Sequence, residues 1–107
     1  MANPFSILVY ESNGHIPFED DLKATRDQRA VLKIMRCVQR MELGNFGDHK
    51  SVGEGVWESR IDYGPGYRVY YSLQGAQVVL LLCSGNKGTQ SKDIVRAKSY
   101  KSDYESR

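Results

Sequence analysis

Apolar and polar positions change period along this chain, and the changes mark its elements. Phe5-Ser6-Ile7-Leu8-Val9-Tyr10 is a short β-type run closed by Ser12-Asn13-Gly14. Pro17 then stands where a first helical residue would, with Glu19, Asp20 and Asp21 in the first turn, where the helix dipole favours negative charge. Phe18 and Leu22 share one face of that short helix. A longer helix is predicted from Thr25 or Arg26 to Met41, because Val31, Ile34, Met35, Val38 and Met41 recur at spacings of three and four. Gly44 and Gly47 end it, and the glycine-rich stretch from Leu43 to Gly55 reads as a loop.

Period two follows. In the segment from Gly55 to Arg68, GVWESRIDYGPGYR, the residues Trp57, Ser59, Ile61 and Tyr63 fall on one face of a strand and Glu58, Arg60 and Asp62 on the other. Gly64-Pro65-Gly66 breaks this strand, and the chain re-extends as Tyr67-Arg68-Val69-Tyr70-Tyr71. Such a hairpin sets Arg60 beside Arg68. After the turn Leu73-Gln74-Gly75, Gln77 to Cys83 is apolar without alternation, the pattern of a central strand covered on both faces. A last helix begins near Thr89 or Ser91, with a thin apolar face of Ile94, Ala97 and Tyr104. The predicted order is β-α-α-β-β-β-α, an α+β domain spanning residues 1–107. Two N-terminal helices pack on a mostly antiparallel four-stranded sheet, and a short C-terminal helix follows.

Composition narrows the function without choosing it. The 107 residues suffice for one modest core, and 15 Lys and Arg against 13 Asp and Glu leave a net charge of +2. Charge distribution says more than its sum. Arg29, Lys33, Arg36 and Arg40 recur on one side of the second helix as a basic ridge about 16 Å long, from the rise of about 1.5 Å per residue. Such a ridge is either a solvated helix face or a track for phosphates. Cys37 and Cys83 have no partner spacing for zinc or a disulfide framework, so no metal or cofactor is expected, and both fit reduced core thiols of a cytoplasmic protein. No apolar run approaches the roughly 18 residues of a membrane span, no charged-then-apolar leader precedes the first strand, and no membrane association is expected.

Two guanidiniums and a carboxylate on one strand face suggest a phosphate site, set against an ordinary solvated Glu–Arg pair. The order of elements, with WESRIDYGPGYRVYY and LLLCSGNKGTQSKDI in these places, resembles the RelE/ParE superfamily of toxins from type II toxin–antitoxin systems, and within it the HigB-like addiction module killer proteins. The resemblance covers nearly the whole chain and implies a RelE-like fold. It also implies a ribosome-dependent, metal-independent mRNA endonuclease that arrests translation and growth. By the same resemblance Arg60, Arg68 and Lys87 are catalytic and converge on one concave face. The implied partners are the ribosome, mRNA and a cognate antitoxin, a helix-turn-helix protein from a neighbouring gene docking at the last helix or the sheet edges. A ParE-like relative would instead bind and poison DNA gyrase. The last-helix position where some RelE members carry a tyrosine is Asp93 here.

Cleavage by in-line attack of a 2′-hydroxyl needs a base, an acid, and cations on the charged phosphorane. Arg60 and Arg68 suit the stabilising role. Glu58 is the local carboxylate for a general base, or else the group that orients an arginine. Lys87 stabilises charge or donates a proton. Tyr70 offers a ring to stack on bases, with Arg29, Lys33, Arg36 and Arg40 holding RNA, whereas Tyr67 falls on the Trp57 side and reads as core. His15 and His49 lie in loops outside the hairpin, and His49 reaches the site only if its loop folds over it.

Overall fold

The structure, a computed structural model, describes residues 3–107. Its strands are β1 (Ser6–Val9), β2 (Asp48–Gly53), β3 (Val56–Ile61), β4 (Tyr67–Gln74) and β5 (Val78–Asn86). Its helices are α1 (Pro17–Ala24), α2 (Gln28–Glu42) and α3 (Gln90–Glu105), with a single 3-10 turn over Lys87–Thr89 before α3. The sheet has five strands in the order β1-β5-β4-β3-β2, with β1 parallel to β5 and every other pairing antiparallel.

This overturns the expected four-stranded, mostly antiparallel sheet and its RelE-like order β-α-α-β-β-β-α. The sheet is mixed, and the additional strand β2 comes from the stretch expected to be a loop. Asp48-His49-Lys50-Ser51 is exposed along its whole length, so an edge strand of this kind leaves no apolar alternation to read. Its turn does leave a mark. Gly53 and Gly55 have positive φ, and Glu54 between them is held at φ 54°, a left-handed conformation uncommon for a residue with a side chain.

Helices cover both faces. On one, Phe18 of α1 and Ile34, Cys37 and Met41 of α2 pack on Val69, Tyr71, Val79 and Leu81. On the other, Ala97 of α3 packs with Tyr10, Val56, Tyr70, Leu80, Leu82 and Cys83. The second strand from one edge, β5, is therefore enclosed on both sides, as its unbroken apolar run requires. Tyr70 and Tyr71 alternate to opposite cores as strand neighbours do, and the register shift between them leaves Leu82 of β5 unpaired, so that Leu82 and Cys83 both join the α3-side core.

Helix α2 starts later than Thr25 or Arg26 because Asp27 caps it, its Oδ1 accepting from the backbone N–H groups of Arg29 (2.9 Å) and Ala30 (3.4 Å). Its buried stripe is Ala30, Ile34, Cys37 and Met41, so Met35, expected in the core, faces outward. The thin apolar face of α3 is supplemented by polar ties along its length. Tyr10 stacks on Tyr100 with ring centroids 4.9 Å apart and donates from its hydroxyl to Asp103 at 2.7 Å, while Lys98 pairs with Glu54. No helix among the described residues is long and apolar enough to cross a membrane.

One glycine governs how closely α3 approaches. Asp93, nearly inaccessible, lays its carboxylate against the bare Cα of Gly85 on β5, where a methyl group would land on it. The same carboxylate accepts from the Thr89 hydroxyl and pairs with Arg96 at 2.9 Å, and Arg96 reaches on to Asp21 of α1 at 3.1 Å. Gly85→Ala should therefore lower unfolding free energy by about 3 kcal/mol, the upper part of the usual overpacking range. Urea denaturation checks this, and an unchanged midpoint would contradict the packing described.

Candidate nucleic-acid interface

The hairpin register decides which predicted residues meet. Cα partners across β3 and β4 include Arg60 with Arg68 and Glu58 with Tyr70, so all four side chains belong to the α3 face of the sheet. Gly64 and Gly66, with φ of 56° and 82°, make the turn, and Gly66 donates its N–H to the Tyr63 carbonyl. Lys87 enters from beyond β5. A Cβ placed on Gly66 would lie 3.3 Å from Arg68 Nη1 and 3.7 Å from Lys87 Cβ, so these two cations flank the same turn.

Neighbourhood is not exposure. Glu58 is completely buried, and Arg68 is 8% exposed. The Glu58 Oε2 lies 3.4 Å from Arg68 Nε and accepts from the Tyr70 hydroxyl at 3.1 Å and from Gln90 Nε2 at 2.8 Å. Arg68 Nη1 donates to the Gly66 carbonyl at 2.7 Å. Burial, and then the negative charge of Glu58, pushes the Tyr70 hydroxyl pKa far up, so it stays protonated. Three expectations are corrected here. Glu58 cannot reach a substrate hydroxyl as a base, Tyr70 offers no ring for a base to stack on, and Arg68 is committed to an internal ion pair. Glu58 takes the orienting role instead. Arg60, Arg68 and Lys87 thus do not form one open pocket.

Arg60 turns outward. Its Nη2 donates to Asp48 on the edge strand at 2.9 Å, and this hydrogen bond, reinforced by the carboxylate charge, raises the Arg60 pKa. Arg60 also lines a groove of about 220 Å³ running between α2 and the β2–β3 edge, together with Lys33, Arg36 and Arg40. The groove floor includes Cys37, Phe46 and Ser59, and its other charges are Asp48 and Asp62. Arg29, Lys33, Arg36 and Arg40 have no carboxylate within bridging distance among the described residues. Lys33 instead sits over the Tyr63 ring at 5.1 Å. Arg60 thus stands at the margin between the ridge groove and the α3 face of the sheet, where its strand register sets it beside Arg68.

The groove's non-ridge walls were not foreseen. Gly44-Asn45-Phe46-Gly47 reads only as loop, yet Phe46 stacks on Tyr71 with centroids 5.3 Å apart and accepts at its carbonyl from Ser59 Oγ at 2.9 Å. His49 is on β2 beside Trp57, with rings 5.7 Å apart, and its Nδ1 lies 2.8 Å from the Gly47 carbonyl. It is register partner to Ser59 and stands outside the groove lining. Tyr67 packs against the α2-side core as expected, while His15 pairs by its backbone with Ser12. Asp93 is a packing group under Thr89 and Arg96, beside a second cleft of about 500 Å³ between α1, β5 and α3. Cys83 is pushed up to about 12 by burial, and burial also raises Cys37, so both thiols stay protonated at neutral pH. Among the described residues no three His, Cys, Asp or Glu are grouped as metal ligands.

Fold and surface together describe a small two-faced α/β protein with an unneutralised cationic helix beside an open groove. No protein-family model matches the sequence. It is 48% identical over 83 residues to an uncharacterized protein of Haemophilus influenzae (strain ATCC 51907 / DSM 11121 / KW20 / Rd), over 78% of this chain and 84% of that protein. The chain belongs to the same family as that protein.

The buried pair yields a direct test. Removing one partner of a buried ion pair strands the other, at a cost of about 3–5 kcal/mol, whereas apolar replacement of both is often close to neutral. Glu58→Ala should lose stability on that scale, and Glu58→Leu with Arg68→Met should recover most of it. Chemical denaturation measures both, and a Glu58→Ala protein as stable as the parent would show that the pair is not internal.

Proposed function

We propose that this protein binds RNA along the cationic band from Arg29 to Arg60. In this reading it acts as the toxin of a type II toxin–antitoxin pair of the RelE/ParE kind, cutting mRNA on the ribosome without a metal. One observation carries the reading: Arg60 lines the α2 groove and is also the strand partner of Arg68, so one exposed cation borders both the helix ridge and the end of the sheet near Lys87. Successive phosphates run along Lys33, Arg36 and Arg40, each forked or point-charge contact releasing counterions. Single-stranded RNA suits this track because its bases can turn toward the Phe46 side of the groove.

In the cleavage step Arg60 and Lys87 meet the scissile phosphate, with Arg68 held beneath them by Glu58. Attack of the 2′-oxygen on phosphorus forms a 2′,3′-cyclic phosphate and breaks the bond to the 5′-oxygen. The 2′-hydroxyl proton passes to solvent water, and the exposed Lys87 ammonium supplies the proton that the 5′-oxygen takes. With Glu58 sealed, rate comes from in-line positioning and charge stabilisation, both of which the ribosome-bound message supports. A cognate antitoxin restrains this activity. The gyrase-poisoning alternative is favoured by one fact: the carboxylate and the tyrosine best suited to acid–base chemistry on the sheet are internal.

Arg36→Ala/Arg40→Ala/Arg60→Ala should weaken binding to a single-stranded RNA about 100-fold or more. It should also reduce the slope of log K against log salt by about 2, at roughly 0.7 per lost phosphate contact. Lys87→Ala should bind nearly as the parent does and lose cleavage in a translation extract whose message ends are mapped. Codon-phased ends supplied by the parent protein support the nuclease. An unchanged salt slope in the triple variant contradicts the RNA surface, and intact messages with gyrase-linked DNA breaks select the alternative.

A further inference from the structure

Helix α2 presents more than charge. Leu32 is 58% exposed, Met35 48% and Leu43, at its C-cap, 64%. Leu32 and Met35 are three apart and so neighbour one another on the outward side of the helix. Arg29, Lys33 and Arg36 flank them, and a cleft of about 380 Å³ opens where these cations meet Leu32 and the Tyr63 ring. None of the three cations has an ion-pair partner among the described residues. Aliphatic side chains alternating with unneutralised cations on one helix face match two requirements of a single ligand: apolar anchors and carboxylates in register beside them.

We infer that this face of α2 is the docking site for an acidic amphipathic helix of a protein partner, seated on Leu32 and Met35 with its carboxylates on Arg29, Lys33 and Arg36. Charge complementarity chooses the occupant. Nucleic acid would use the cations but gains neither a hydrogen bond nor a stacking plane from Leu32 and Met35. A second copy of this chain placed face to face would oppose the same unpaired cations, since a two-fold interface sets a patch against itself. An acidic helix with apolar residues at i, i+3 and i+7 satisfies both halves of the surface. Because Lys33 and Arg36 also line the RNA groove, partner and RNA exclude one another. Docking itself does not depend on mRNA cleavage.

The test uses the full chain and three probes by fluorescence anisotropy: an 18-residue acidic helical peptide with leucines at that spacing, the same peptide with lysine for every glutamate, and a 12-nucleotide single-stranded RNA. The acidic peptide is expected to bind the parent in the micromolar range and to displace the RNA. Leu32→Ser/Met35→Ser, both at the surface and checked by circular dichroism, should weaken the peptide at least tenfold while RNA affinity stays within twofold. The lysine peptide should not bind. Failure of the acidic peptide to bind, equal binding to the Leu32→Ser/Met35→Ser protein, or binding of the lysine peptide would overturn the inference. A tenfold loss of RNA affinity in that variant would also overturn it, by assigning the apolar pair to nucleic acid. Because RNA affinity of the parent is read separately, loss of the RNA reading and loss of the docking reading give different results.

Discussion

The ion pair between Glu58 and Arg68 sets the terms for the rest of this molecule. A carboxylate with no solvent exposure tolerates ionisation only if cations and donors surround it, and here Arg68, Tyr70 and Gln90 converge on its Oε2. Glu58 is on β3, and its partners come from β4 and the first turn of α3. The pair thus ties the hairpin to the C-terminal helix at the end of the sheet where the other cations gather. Its geometry is incomplete: Glu58 Oε1 and Arg68 Nε are buried without a hydrogen-bond partner. Such a pair adds little net stability, and its retention fits a role in fixing arrangement.

The consequence is a division of labour among cations that look equivalent along the chain. Arg68 faces inward and holds the Gly64–Gly66 turn through the Gly66 carbonyl. Arg60, its strand neighbour, is the outward one and is only partly neutralised by Asp48 on an exposed edge. The ridge on α2 carries no such compensation. Of the groove's cations, those along α2 are therefore without a carboxylate partner among the described residues, and a phosphate-bearing ligand meets uncompensated charge there.

What could be read in advance follows from what leaves a periodic trace. The enclosed strand Val78–Asn86 announced itself by its unbroken apolar run, and the hairpin by alternation around Gly64-Pro65-Gly66. Arg60 and Arg68 could be placed side by side because strand register is arithmetic once a turn is fixed. The edge strand Asp48–Gly53 leaves no such trace, since all but its last two residues are exposed and no apolar alternation marks it. Missing it turned a mixed five-stranded sheet into a four-stranded one. Met35 shares the spacing of the apolar stripe, but the packing of Ala30 and Cys37 beside Ile34 and Met41 rotates the buried stripe away from it. Burial of Glu58 and Tyr70 was equally hidden. Alternation gives the face of a strand, but not whether a helix later covers it, and the thin apolar face of α3 concealed how closely Gly85 allows it to approach.

The central claim is that Arg68 belongs to the interior while Arg60 belongs to the surface. Side-chain Nε–H resonances of the arginines report both facts in one nuclear magnetic resonance titration with single-stranded RNA. The account predicts a slowly exchanging Arg68 Nε–H that barely moves as RNA is added, with progressive shifts at Arg36, Arg40 and Arg60. An Arg68 signal that exchanges as fast as that of Arg60, or shifts as far with RNA, would contradict it.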